Sequence, residues 1–148
     1  MKTLKYTLIV LFSVVLMSCG GGGGGEKVDE IAPTLTINSP TASQKLAAGA
    51  NLNINFTAKD NVALASYNVT VAYDGVKSVK TVQEFSFNSL ADKDADGNNL
   101  PTISGANQTI NFDIKTPDNA TPGSYKLTVT VKDGTSNSIN KNVSFEIE

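Results

Sequence analysis

Two stretches of this chain carry residues whose types and spacing could do chemistry. The first is Cys19, the only cysteine, set between an apolar run from Leu8 to Met17 and six consecutive glycines, Gly20 to Gly25. A thiol is the one side chain here that can be made nucleophilic enough to take up an acyl-bearing lipid as a thioether. Small residues before it would let an extended backbone enter a peptidase site. The second stretch is Asp92-Lys93-Asp94-Ala95-Asp96-Gly97-Asn98-Asn99. It matches the opening of a D-x-D-x-D-G calcium loop, where alternate carboxylates aim oxygens at one point and the glycine allows a sharp bend. Asp92, Asp94 and Asp96, with the backbone carbonyl of Asn98, are the expected ligands. The twelfth position is Ile103 rather than a bidentate glutamate, and no helical pattern flanks the loop. A further carboxylate would have to come from elsewhere, with Glu84, Asp113 and Asp118 as unranked candidates. An ion bound here would rigidify the loop rather than catalyse.

What the chain lacks narrows the chemistry further. It has no histidine, which removes an imidazole base, a Ser-His-Asp triad and the usual zinc ligands. An enzyme would have to rest on carboxylates, lysine or tyrosine alone, and no Asp/Glu pair stands in a setting that suggests general acid and base. The expectation is a non-enzymatic protein with no certain cofactor. There is no arginine, and without Lys2 and Lys5 the remaining chain has 10 Lys against 14 Asp plus Glu, net −4. That balance lacks the electrostatic footprint of a nucleic-acid binder.

The elements around Cys19 have the parts of an export signal. Lys2 and Lys5 form a positive start, an apolar core follows, and Ser18 is small. The core is about half the ~20 residues needed to cross a bilayer, and glycine is strongly disfavoured in helix interiors. Leu16-Met17-Ser18-Cys19 resembles the lipobox of bacterial lipoproteins, with Met17 a less usual filler. The resemblance implies diacylglyceryl transfer to Cys19, cleavage after Ser18 and acylation of the new N-terminus. Two or three acyl chains anchor stably where one does not. Residues 1–18 are thus expected to be a signal peptide, and residues 19–30 a lipidated cysteine with a glycine-rich tether. Such a tether behaves as a coil of about 5–6 Å × √n. Gly20 directly after Cys19 resembles outer-membrane sorting, on the periplasmic or the surface face.

From Pro33 onward the hydrophobic period is two rather than 3.6. Leu35 and Ile37 alternate with Thr36 and Asn38. Leu52, Ile54, Phe56 and Ala58 alternate with Asn51, Asn53, Asn55 and Thr57, and make the clearest one-face-buried strand. Tyr67, Val69, Val71 and Tyr73 follow after the break at Asp60-Asn61, and Asp74-Gly75 signals a hairpin. Val76 to Phe87 reads as a strand region of mixed parity, and Asn88 to Asn107 as a long polar loop. Ile110, Phe112 and Ile114, then Tyr125, Leu127, Val129 and Val131, and after Asp133-Gly134 a last run with Ile139, Val143, Phe145 and Ile147 complete the series. About seven short antiparallel strands with frequent turns argue an all-β sandwich over residues 31–148.

Ala32-Pro33, Asn38-Ser39-Pro40, Ala48-Gly49, Phe56 to Asn61 and Leu64 to Tyr67 resemble the first half of bacterial immunoglobulin-like domains. Pro122-Gly123-Ser124-Tyr125-Lys126-Leu127-Thr128-Val129-Thr130-Val131-Lys132-Asp133 is similar to the second half. With the lipobox, the chain also resembles a family of small Gram-negative Ig-like lipoproteins. The resemblance implies an immunoglobulin-like fold and places Tyr125 where a tyrosine corner would sit. It does not imply an activity, because Ig-like folds host many. Together these readings favour a lipid-anchored, non-enzymatic binding or accessory module of the cell envelope. Its partner would be another envelope protein or a glycan, met through strand edges or the long loop. The alternative is a glycan- or small-ligand-binding lipoprotein that assists uptake.

Overall fold

A computed structural model describes residues 28–75 and 84–148. The expected signal peptide, Cys19, most of the tether, and the Val76–Gln83 part of the expected mixed-parity strand lie outside the described residues. The strands that follow form because one side of each is apolar and the other polar. In β3 (Asn51–Lys59) Leu52, Ile54, Phe56 and Ala58 are fully buried, while Asn51 and Lys59 are exposed and the polar residues between them lie partly open. It is flanked by β1 (Thr34–Ser39) and β6 (Asn107–Lys115) in one antiparallel sheet of order β1-β3-β6.

The second sheet is built from β2 (Lys45–Leu46), β4 (Leu64–Tyr73), β5 (Phe87–Asn88), β7 (Gly123–Asp133) and β8 (Ser138–Ile147), in the order β2-β8-β7-β4-β5. The expected all-β sandwich of about seven antiparallel strands is present, with one parallel pairing added at an edge. Eight strands are seen among the described residues, and β2 pairs with β8 in parallel. The chain leaves β1 at one end of the first sheet and crosses to the second. There it meets the outgoing end of β8 running the same way.

The core is the space between the two sheets. Leu52, Ile54, Phe56, Ile110 and Ile114 face Val69, Val71, Leu127, Val129 and Phe145, all at most 1 % exposed. Each such side chain stabilises the fold by roughly 1.5–3 kcal/mol relative to an exposed position. Aromatic rings meet at preferred angles, Phe56 edge-on to Tyr67 with centroids 5.3 Å apart and Phe87 against Phe112 at 6.2 Å. On the outer face of β1-β3-β6 the polar residues bond to one another across strands. Asn53 Nδ2 donates to Asn111 Oδ1 and Asp113 Oδ1, Asn55 Nδ2 to Asn111 Oδ1, and Thr57 pairs with Thr109. The abundance of asparagine and threonine is thereby explained as a solvated sheet face.

The tyrosine corner is present. Tyr125 is fully buried, and its hydroxyl donates to the carbonyl of Thr121, four residues upstream, at 2.8 Å. Strand direction sets the two ends of the sandwich. The end where β3 and β7 finish and β1, β4, β6 and β8 begin gathers residues 28–33, the β3–β4 turn, residues 104–106 and the β7–β8 turn.

Candidate metal centre

At that end three aspartates converge. Asp60 closes β3, Asp133 closes β7, and Asp29 lies in the segment that leads into β1. One carboxylate oxygen from each lies within 4.8 Å of the other two, and among the described residues this is the one group of three potential ligands so placed. The cluster could hold a metal ion.

Local folding explains each position. Asp60 ends its strand because its Oδ1 accepts the N–H groups of Val62 (2.9 Å) and Ala63 (2.8 Å), turning the backbone as only a short acceptor side chain can. Asp133 does the same more completely. Its Oδ1 accepts the N–H groups of Thr135 and Asn137, and its Oδ2 accepts the Thr135 hydroxyl and the Asn137 amide. Asp133 is 4 % exposed, covered by a thin layer of loop rather than set in the deep core. Burial pushes its carboxyl upward, but the bonds from Asn137 and Thr135 outweigh that and hold it below the ordinary carboxylate value.

Asp29 is fastened from several sides. Its Oδ1 accepts the N–H of Ile31 (3.0 Å) and the side-chain amide of Asn61 (2.9 Å). Its backbone carbonyl accepts the Thr135 hydroxyl (3.1 Å) and the Asn137 amide (2.8 Å). The two turns are joined as well, by the N–H of Gly134 to the carbonyl of Ala63. Two oxygens remain: Asp29 Oδ2 and Asp60 Oδ2 are buried and have no hydrogen-bond partner.

The sequence-predicted loop is organised differently. Asp94 Oδ1 accepts the N–H groups of Asp96 (3.0 Å) and Asn98 (2.7 Å), and its Oδ2 accepts the Asn98 amide. The backbone bond from Asn98 is the main reason its carboxyl lies below the ordinary value. Asp92 Oδ2 accepts the N–H of Asn88, and Gly97 takes a φ of 81° that suits glycine. Asp92 and Asp94 thus cap the chain's own turns. Asp94 and Asp96 border a polar depression of about 280 Å³ with Asn53, Asn111 and Asp113, and the N–H of Ala95 donates to the carbonyl of Asp113. Of the extra carboxylates considered, Asp113 is the one brought beside this loop. Asp118 stands at the opposite end, near Gly49.

Read locally, Asp60-Asn61 and Asp133-Gly134 are turns and Asp29 falls within the 19–30 tether. The two turns are as read; Asp29 is fastened to them by hydrogen bonds, and no local pattern reveals that the three carboxylates converge. The available signal is strand direction: alternating the long strands from Thr34, with the two-residue β2 left out, puts the ends of β3 and β7 at the end of the sandwich where β1 begins.

A family model described as Domain of unknown function (DUF4625) matches residues 18–148. No curated protein matches the chain. Similar solved structures include the fibronectin(III)-like modules of Clostridium thermocellum CbhA, at 18 % identity over 78 % of this chain and 46 % of that one, TM-score 0.43. Spo0M, a sporulation control protein from Bacillus subtilis, has 10 % identity over 79 % and 49 %, TM-score 0.47. A DUF4466 family protein from Parabacteroides merdae has 10 % identity over 79 % and 44 %, TM-score 0.47. The chain spans about half the length of each of these structures.

Proposed function

The chain belongs to the DUF4625 family, and from that premise we propose that it is a lipid-anchored, non-enzymatic module of the bacterial cell envelope that presents its β-sandwich to an envelope partner. The observation that carries this reading is the fastening of Asp29 to the β3–β4 and β7–β8 turns through Asn61, Thr135 and Asn137. The chain therefore enters the sandwich at one defined end. A lipid on Cys19, ten residues upstream, would keep that end within ~35 Å of the bilayer, the reach of a fully extended segment. Val28, Ile31 and Val62, each within two residues of Asp29 or Asp60, are exposed at this end, where apolar side chains suit a bilayer-facing surface. The opposite end and both outer sheet faces are then left for a partner.

Changing Cys19 tests the anchor. Wild-type protein is expected to incorporate labelled palmitate, lose residues 1–18 and partition with membranes. Cys19→Ser is expected to lose the label, retain the signal peptide and fail to mature. A Cys19→Ser protein processed and anchored like the wild type would refute the proposal.

One feature favours the second reading, a small-ligand or glycan binder. A groove of about 420 Å³, within the ~300–1,000 Å³ range of small-ligand sites, runs between the start of β4 and the Ser89–Ile103 segment. Tyr67, Leu90, Lys93, Asn99 and Leu100 border it. Burial pushes the Tyr67 hydroxyl up to about 12, so it stays a neutral donor, here committed to the Pro101 carbonyl at 2.6 Å. Calorimetric titration with mono- and oligosaccharides decides this reading, which requires heat of binding that Asn99→Ala removes.

A further inference from the structure

We propose that Asp29, Asp60 and Asp133 bind one calcium ion, and that this ion clamps the N-terminal segment onto the end of the sandwich. The inference is separate from the lipid anchor and from the Asp92–Asn98 loop. Its first ground is convergence, with three carboxylate oxygens within 4.8 Å of one another. Oxygens so spaced need to close in by at most a few tenths of an ångström to share a single ion at the 2.3–2.6 Å distances that calcium accepts.

The second ground is independent of the first. Asp29 Oδ2 and Asp60 Oδ2 are buried without a donor, although a buried carboxylate oxygen is costly unless something compensates it. Among the described residues no lysine forms an ion pair with either oxygen. The ion pairs seen among the described residues, Lys45 with Glu146 and Glu148 and Lys126 with Asp74, lie at the opposite end. A cation placed among the three carboxylates satisfies both orphaned oxygens and offsets the like charges together.

The donor set selects the class of ion. All the ligands are hard carboxylate oxygens, which suit calcium rather than zinc or copper. They come from three loops without imposed octahedral symmetry, which favours calcium's irregular shell over magnesium's. Asp133 can join because the Thr135 hydroxyl faces two acceptors, the Asp29 carbonyl and Asp133 Oδ2. Its single hydrogen directed at the Asp29 carbonyl frees a lone pair on Asp133 Oδ2 for the ion. The same movement strengthens the hold on the segment that carries Asp29. Water would complete the shell.

The test uses the full-length protein purified in detergent, its thermal unfolding followed by circular dichroism in calcium chloride, magnesium chloride or chelator. Saturating calcium is expected to raise Tm by roughly 5–10 °C, and magnesium by much less. Asp29→Asn and Asp60→Asn should each abolish the shift, since the amide oxygen still accepts the turn N–H groups but the charge is gone. Asp94→Asn and Asp96→Asn should keep it. Cleavage after Lys27 by a lysine-specific protease should slow several-fold in calcium for the wild type and not for Asp29→Asn. Three results would overturn the proposal: an unchanged wild-type Tm at about 10 mM calcium, well above the weak-site range; a shift that survives in both Asp29→Asn and Asp60→Asn; or a shift lost only with Asp94 or Asp96. Equal stabilisation by magnesium would overturn the choice of ion, and a Tm shift without protection of Lys27 would overturn the clamp.

Discussion

Tyr125→Ala is expected to destabilise the protein by about 3–5 kcal/mol, the range for removing a large aromatic side chain from a core. Tyr125 is the largest fully buried side chain among the described residues. Its ring packs against three others, Tyr73 edge-on at 5.3 Å, Phe145 stacked at 5.8 Å and Phe85 tilted at 6.2 Å. The backbone approaches closely here too: Gly123 opens β7 with φ 141°, and a side-chain carbon there would stand 2.9 Å from the Tyr73 ring. The site is tightly surrounded, so a cavity left by Ala would close poorly. Against a typical total stability of about 5–15 kcal/mol, the variant would be marginal. Tyr125→Phe separates ring from hydroxyl. It removes the hydroxyl's bond to the Thr121 carbonyl and the one it accepts from the Phe85 backbone, and is expected to cost about 1–3 kcal/mol. Urea unfolding of both variants checks the pair. Equal losses for Phe and Ala would mean that the hydroxyl's bonds, not the ring cluster, hold this region.

The second large effect is expected at Asp133. Asp133→Ala deletes four bonds at once and leaves the N–H groups of Thr135 and Asn137 without their acceptor. The β7–β8 turn should loosen and Tm fall by roughly 5–10 °C. The consequence reaches beyond the turn, because Thr135 and Asn137 also hold the Asp29 carbonyl. Hydrogen exchange should therefore speed up at Asp29–Ile31 as well as at 134–137. If exchange rises only at 134–137, the fastening of the N-terminal segment does not depend on this turn.

The same carboxylate makes a pH prediction. Its folded pKa lies below its ordinary value of 3.8, because bonds from Asn137 and Thr135 outweigh burial. A depressed carboxyl contributes stability that is fully present above the unfolded pKa and is lost as pH falls through the folded one. The loss should thus appear below about pH 4. Asp29 and Asp60 face it across the cluster, so the comparison is made against Asp133→Asn, whose stability should change less over this range. Identical acid profiles for the two proteins would remove Asp133 from the account.

Much of this protein is local information and could be read from the chain. Alternation in Leu52–Ala58 specifies which face of β3 is buried, because side chains on a strand point to opposite sides in turn. Tyr125, placed near the start of its strand, foretold the corner, and Asp60-Asn61 and Asp133-Gly134 foretold the turns, because short acceptor side chains bend the backbone wherever they occur. The chemistry available to Cys19, and the enzyme mechanisms closed to a chain without histidine, likewise follow from residue type alone. Other features depend on which strands become neighbours. The parallel pairing of β2 with β8 joins segments about a hundred residues apart, and no local pattern marks it. The Asp92–Asn98 motif has the spacing of ligands, yet in the folded loop Asp92 and Asp94 turn back to cap their own backbone. The three aspartates that do converge come from the entering segment and from two turns. Each is unremarkable by itself, and sheet order together with strand direction brings their oxygens within 4.8 Å. Local patterning determined the sandwich, and only long-range packing decided where its negative charge is concentrated.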